Sequence, residues 1–206
     1  MCFSAPASFI ASGGLAVLGG ASFVVAKKKN KILAAIPLMF AVQQFCEGIQ
    51  WLYLNSGSTS QFAGYSFLFF AFILWPVYVP WFVYVLDPKR RKLLGWFVAL
   101  GALVSAYFIF LLSTQVLEIS KHISCVNYSF SDFPYKEIVI TAYLVAILAP
   151  LLSSSKHILR WYGAAIFVLG LISWLFFSVT FTSVWCFFAA IVSSMFFFYL
   201  LPSKYR

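Results

Sequence analysis

The sequence predicts an all-α, polytopic integral membrane protein with seven transmembrane helices, formed by residues 1–206 as a single domain. Of the 206 residues, 63% are hydrophobic and only 9% are charged. A soluble domain usually carries about 25% charged residues, so this composition excludes an ordinary soluble protein. The chain instead contains seven apolar runs of about the 20 residues that a helix needs to cross a bilayer. These runs cover residues 7–26, 32–54, 62–86, 93–113, 137–154, 161–180 and 183–202.

The positions of the basic residues predict the orientation of these spans. Of the 14 lysines and arginines, all but Lys121 and Lys136 follow the first, third, fifth or seventh span, and therefore lie on one side of a seven-span arrangement. Because cytoplasmic loops are enriched in Lys and Arg, the N-terminus is predicted outside and the C-terminus in the cytoplasm. The same rule accounts for the net charge of +9, so membrane lipids rather than nucleic acid are the expected partners.

The first and third spans have features of their own. No basic residue precedes the first span, whereas lysines follow it at positions 27–31. This is the reverse of the charge pattern of a cleaved signal peptide, so the span is predicted to be retained. The third span contains Pro76 and Pro80, which predict a bend near the middle of the membrane. The bend either serves helix packing or widens a cavity.

The second span contains Glu47, the main candidate for a functional residue. It is the only charged residue between positions 36 and 54. A carboxylate in hydrocarbon costs about 3 kcal/mol or more, so it normally faces protein or water and has a partner. Gln43, Glu47 and Gln50 are spaced i, i+4 and i+7 and share one helical face, which Trp51 flanks. Glu47 is predicted to lie about 12 Å below the outer end of its helix, in the outer half of the membrane.

Other reactive residues are predicted at the same outer level. Cys2 precedes the first span, His122 lies in the outer segment 114–136, and Trp185 and Cys186 begin the seventh span. The predicted ligand-binding set is Glu47, Gln43, Gln50, Trp51, Trp185, Cys186, His122 and Cys2. The alternative for Glu47 is structural: a protonated carboxyl group that hydrogen-bonds to a glutamine, an indole N–H or the backbone and joins helices.

The few histidines and lysines exclude several kinds of cofactor site. His122 is predicted outside and His157 inside, which excludes haem ligation by a histidine pair within the membrane and argues against a zinc site of three histidines. The seventh span contains no lysine, so a retinal Schiff base of the rhodopsin kind is excluded. No metal and no cofactor is therefore predicted, with a mixed site of His122, Glu47 and a cysteine as the alternative.

The four cysteines leave the disulfide pairing open. A bond between Cys2 and Cys125, or between Cys125 and Cys186, would tether the outer segment over the mouth of the helix bundle if the compartment is oxidising. Otherwise, a cysteine within a membrane helix acts as a small apolar side chain.

Four blocks of the sequence carry a resemblance to a known family. They are MCFSAPASF (1–9), QQFCEGIQW (43–51), FILWPVYVP (72–80) and SVWCFFAA (183–190). The chain resembles a family of small, uncharacterised bacterial membrane proteins that open with MCFSA and carry a VWCFFAA motif in the last helix. The resemblance implies a seven-helix fold in the bacterial inner membrane and no particular activity. The residues that match its motifs include Cys2, Glu47, Trp75, Pro76, Trp185 and Cys186.

These observations favour binding, with transport as its extension, of a small or amphiphilic molecule in an outer-facing pocket around Glu47. Glu47 would supply charge or a proton, the glutamines of its face would orient the ligand, and two tryptophans would form an aromatic wall. One alternative is a membrane-embedded enzyme that acts on a lipid or redox-active substrate at the outer interface, through Glu47 with His122 or Cys186. The other is a structural or assembly protein whose polar face only joins helices.

Overall fold

The apolar runs of the sequence form helices, in which the backbone satisfies its own hydrogen bonds away from water. The computed structural model describes residues 4–201. Its helices are α1 (Ala5–Val25), α2 (Lys31–Asn55), α3 (Gln61–Leu68), α4 (Trp75–Leu86), α5 (Arg91–Thr114), α6 (Lys136–Ser153), α7 (His157–Phe177), α8 (Phe181–Ser193) and α9 (Met195–Leu200). Strands β1 (Leu117–His122) and β2 (Cys125–Phe130) pair as a hairpin between α5 and α6.

Six helical stretches among the described residues are long and apolar enough to cross a membrane. They are Ala5–Val25, Lys28–Asn55, Gln61–Leu86, Pro88–Thr114, Lys136–Ser153 and His157–Leu200. The predicted class, a mostly helical protein with several helices able to span a membrane, is therefore confirmed.

The last of these stretches is too long to cross a bilayer once. Its 44 residues would form a helix about 66 Å long, whereas the hydrocarbon core is about 30 Å thick. The 3₁₀ segment Ser178–Thr180 separates α7 from α8. A methyl group on Gly170 of α7 would meet the indole nitrogen of Trp185 of α8 at 2.9 Å, although a straight helix would place these residues about 22 Å apart. The chain therefore folds back here, slightly before residues 181–182, which separate the sixth and seventh predicted spans.

The described residues form two compact units. The first unit contains the chain up to Phe67, residues 119–127 of the hairpin and the chain from Leu169 onward. The second unit contains residues 68–118 and 128–168. Each unit has its own internal contacts, which are described in turn.

In the first unit, α1 and α2 pack closely as an antiparallel pair. Ser12 Oγ donates a hydrogen bond to the carbonyl of Ala41 at 2.8 Å. Further along, a methyl group on Gly48 would meet the ring of Phe9 at 2.6 Å. Small residues at such a seam let two helix backbones approach each other, so this pairing brings α1 against the face of α2 that carries Ala41 and Gly48.

In the second unit, the third predicted span is interrupted just before its prolines. Residues Phe69–Leu74 form a π-helical segment between α3 and α4. Since proline has no N–H, the two prolines of α4 leave carbonyls of the preceding turn without their usual partners. Neighbouring hydroxyls bond to carbonyls of the π-helical segment: Tyr143 Oη donates to Ala71 at 2.7 Å, and Ser105 Oγ donates to Ile73 at 2.8 Å. The interruption directly precedes the prolines at which the sequence predicts a bend, and side chains of α5 and α6 stabilise it.

Gly101 of α5 packs directly on the backbone of α4. Pro80 cannot donate a hydrogen bond to the carbonyl of Pro76, four residues earlier. A methyl group on Gly101 would lie 1.9 Å from that carbonyl oxygen, so only a hydrogen atom fits at this position. Gly101 therefore permits the close approach of α5 to the proline-containing part of α4.

Asp87 joins two loops of the second unit. It follows α4, and its side chain is fully buried. Its carboxylate accepts hydrogen bonds from Ser154 Oγ at 3.1 Å, from Ser155 Oγ at 2.7 Å and from the Ser155 N–H. Burial by itself would raise the pKa of Asp87, but these hydrogen bonds stabilise the charged form more strongly and hold the pKa below its usual value.

Part of the long segment predicted at 114–136 forms the β-hairpin. Its turn consists of Ile123 and Ser124. Ile123 has a φ angle of 56°, a left-handed conformation that β-branched residues rarely adopt. Its side chain is 85% exposed. The hairpin thus presents an apolar side chain on a strained backbone.

Candidate functional site

Glu47 lies on the buried face of α2, within the first unit. Its side chain is only 1% exposed. Its Oε1 atom accepts a hydrogen bond from Ser183 Oγ of α8, and its Oε2 atom accepts one from Gln44 Nε2 at 3.4 Å. The carboxylate therefore points into the protein, and its nearest partner on another helix is a serine.

Gln43 and Cys186 complete the polar surroundings of Glu47. Both side chains are buried, and Cys186 is close enough to Gln43 and Glu47 to interact with them electrostatically. Cys186 is a free thiol, so the alternative disulfide with Cys125 is not formed. We call Gln43, Gln44, Glu47, Ser183 and Cys186 the Glu47 cluster.

Several buried polar atoms of α1 and α2 have no hydrogen-bond partner among residues 4–201. They are both amide atoms of Gln50, Nε1 of Trp51, Oε1 of Gln44 and Oγ of Ser8. These four side chains are at most 1% exposed. An unsatisfied buried polar atom costs about 1–3 kcal/mol. Further hydrogen-bonding groups are therefore expected beside the Glu47 cluster.

Lys121 of the hairpin covers Trp51. The Lys121 Nζ atom lies 5.5 Å from the centroid of the Trp51 ring, within the range of a cation–π contact. The sequence predicts Trp51 as an aromatic wall able to hold a cation, and in the structure the chain itself supplies that cation. This contact also explains the position of Lys121, one of the two basic residues that do not fit the one-sided distribution of lysine and arginine.

Trp185 packs its indole against α7. A methyl group on Gly170 would meet the Trp185 ring at 2.9 Å, so the glycine makes room for the indole. The ring of Phe181 lies 5.1 Å from that of Trp185, centroid to centroid. Trp185 is thus part of the contact between α7 and α8, and its role as a wall of the Glu47 site stays a prediction.

His122 lines a recess between two turns of the first unit. The recess has a volume of about 260 Å³ and is bounded by the hairpin turn, residues 122–125, and by residues 176–180 where α7 ends. Within residues 4–201, no group of three or more His, Cys, Asp or Glu side chains is arranged to hold a metal ion. His122 therefore belongs to a feature that the sequence does not predict, the recess at the end of α7.

The remaining predicted site residue, Cys2, lies outside the described residues, and its part in the site stays a prediction. Conversely, the sequence reasoning does not identify Ser183 or Ser8. Ser183 stands three residues before Cys186 and therefore shares a helical face with it, which is the pattern that would have indicated it. Nothing in the sequence around Ser8 distinguishes it from a packing residue of α1.

Comparison with known proteins identifies the family of the chain. No curated protein and no solved structure matches it. Residues 1–204 match DUF6629, a family of unknown function. Because this match covers nearly the whole chain, the protein belongs to the DUF6629 family.

Proposed function

We propose that the protein crosses the bacterial inner membrane seven times, with its N-terminus outside and its C-terminus in the cytoplasm. The one-sided distribution of basic residues supports this orientation. The fold-back at Ser178–Thr180 supports the count, since it divides the last 44-residue stretch into two helical parts. Each part has about the 20 residues that one crossing requires.

Within this topology, the proposed function is the binding of a small polar or amphiphilic molecule beside the Glu47 cluster. The observation that carries this proposal is the set of buried polar atoms without partners, above all the two amide atoms of Gln50. Gln50 and Trp51 lie three and four residues after Glu47 on α2, which is about one turn of helix. A molecule that bonds to them would therefore lie close to the carboxylate.

The unsatisfied atoms define the chemistry of the bound molecule. Gln50 Nε2 and Trp51 Nε1 are donors, while Gln50 Oε1 and Gln44 Oε1 are acceptors. A matching molecule carries both a donor and an acceptor, as a hydroxyl or amide group does. Its net charge is neutral or positive, because the neighbouring Glu47 disfavours an anion in this buried position.

The competing interpretation is that the polar face only joins helices. The hydrogen bond from Ser183 to Glu47 connects α8 to α2 and agrees with this interpretation. However, a joint between helices does not require Gln50, whose amide bonds to no other described residue. Gln50 is therefore the residue at which the two interpretations give opposite expectations.

The experiment compares Gln50→Leu with the wild type in lipid nanodiscs. Small molecules that copurify with each protein are released by denaturation and identified by mass spectrometry, and thermal unfolding is followed by tryptophan fluorescence. Gln61→Leu, at an exposed glutamine at the start of α3, is the matched control. We expect one compound in near-stoichiometric amount in the wild type and the control, and its loss in Gln50→Leu with a lower unfolding temperature.

Two results would overturn the proposal. Removing two unpaired buried atoms is favourable by about 2 kcal/mol. A Gln50→Leu protein that is more stable than the wild type would therefore show that no molecule bonds to the amide. If Gln50→Leu is less stable but no compound copurifies with any variant, buried water satisfies the amide. In either case the helix-joining interpretation takes the place of ligand binding.

A further inference from the structure

The recess beside the hairpin turn has a mixed lining. Ser124 on one side and Ser178 and Thr180 on the other supply hydroxyl groups, and His122 supplies an imidazole. Phe176 and Val179 supply apolar surface on the same recess. An opening lined in this way suits a molecule with one polar end and one apolar end rather than a purely polar solute.

The surface around the recess is apolar and exposed. On α7 and the turn after it, the exposed fractions are 61% for Trp174, 61% for Leu175, 75% for Phe176 and 53% for Val179. A soluble protein rarely exposes large apolar side chains in such a continuous run. On a helix long enough to cross a membrane, these side chains are expected to contact lipid, with Trp174 near the headgroup level.

Ile123 continues this apolar surface onto the hairpin. Its side chain is 85% exposed although its backbone adopts the left-handed conformation, at a φ angle of 56°. A hairpin turn normally has Gly or Asn where φ is positive, so the fold gains nothing in water from an isoleucine here. An apolar neighbour outside the chain would explain why an isoleucine occupies this position.

We propose that the recess binds a membrane phospholipid. Its acyl chains lie along Phe176, Val179 and Ile123, and its phosphate accepts hydrogen bonds from the serine hydroxyls and His122. None of the residues that line the recess belongs to the Glu47 cluster, so failure of this proposal would leave the proposed function of that cluster unaffected.

The test uses Ile123→Asn and Val179→Asn in the full-length protein. Asparagine tolerates positive φ, so Ile123→Asn removes the apolar side chain while it relieves the backbone strain. Val116→Asn is the matched control, because Val116 is an exposed apolar residue outside the helices, 67% exposed, and does not line the recess. Native mass spectrometry counts the phospholipids that each delipidated protein retains when phosphatidylglycerol is titrated into the detergent solution.

We expect one saturable phospholipid site in the wild type and in the control. Its affinity should fall about tenfold in Ile123→Asn, the effect of withdrawing one large apolar side chain from lipid. Thermal stability in lipid-free detergent should not fall, which distinguishes lost lipid binding from lost folding. Equal phospholipid affinity in all four proteins would overturn the proposal. Saturable binding of inorganic phosphate that survives both substitutions would also overturn it, because the site would then recognise an anion rather than a lipid.

Discussion

Replacing Ser183 with alanine tests whether the Glu47 cluster holds α8 against α2. The Ser183 hydroxyl donates to Glu47 Oε1, and both side chains are 1% exposed. Without Ser183, the described partner of the carboxylate is Gln44, at 3.4 Å, which is longer than a strong hydrogen bond. The substitution removes one oxygen atom and leaves the rest of the side chain in place.

The expected loss follows from the partner that is left behind. A buried hydrogen bond contributes about 0.5–1.5 kcal/mol, and a buried partner that is left unsatisfied costs about 1–3 kcal/mol. We therefore expect Ser183→Ala to lower the free energy of unfolding by about 2–3 kcal/mol. Ser193 of the same helix is equally buried, but its hydroxyl donates to Ala190 of its own helix at 2.6 Å. Ser193→Ala should cost less than about 1 kcal/mol.

The assay is reversible unfolding in mixed micelles, followed by tryptophan fluorescence, on the two serine variants, Glu47→Gln and the double variant Ser183→Ala/Glu47→Gln. If the hydrogen bond joins the helices, the double-mutant cycle gives a coupling energy of about 1 kcal/mol or more. Equal losses in Ser183→Ala and Ser193→Ala, together with a coupling energy near zero, would refute the reasoning. The polar pair would then contribute no more than any buried serine.

Two further predictions concern the second unit. Gly101→Ala should lower the free energy of unfolding by about 3 kcal/mol or more, because the added methyl group would clash with the fixed carbonyl of Pro76. Gly95→Ala in the same helix is the control. Its methyl group meets only an ordinary contact at 4.0 Å, so the free energy of unfolding should rise by up to about 1 kcal/mol from helix propensity. Asp87→Asn should lower the unfolding temperature at neutral pH and weaken the dependence of that temperature on acid. The folded pKa of Asp87 is depressed, so its stabilisation is complete above the unfolded pKa of about 3.9 and is lost as the pH falls through the folded value. An unfolding temperature of the wild type that changes no more below pH 4 than that of Asp87→Asn would contradict this.

The sequence predicts the helical segments well because their cause is local. Each apolar run is long enough to bury its backbone in a helix, whatever its neighbours are. The face of Glu47 also follows from spacing alone. Its partner Ser183 does not, since the rotation of α8 against α2 depends on packing that a single sequence does not encode in any short pattern.

The hairpin and the position of Trp185 show where sequence reasoning ends. Leu117 and Ile119 alternate with polar residues as a strand requires, but the turn has Ile123 instead of the glycine or asparagine that normally indicates a hairpin. Trp185 is predicted beside Glu47 because both lie at a similar depth, and this stays a prediction, whereas its contact with α7 is not predicted. Gly170 has no side chain and so leaves room for the indole against α7. The residues around Trp185 in the sequence do not indicate that a glycine of another helix lies opposite it.

The hydrogen bonds of Asp87 also constrain how the chain threads a bilayer. Asp87 precedes α5 and Ser155 follows α6, yet the two are bonded directly, so both must be on the same face of any membrane that the chain enters. The number of crossings between them is then even. Either α5 and α6 both traverse the membrane or neither does, and a single cysteine-accessibility experiment on the 154–156 loop would fix the sidedness of both.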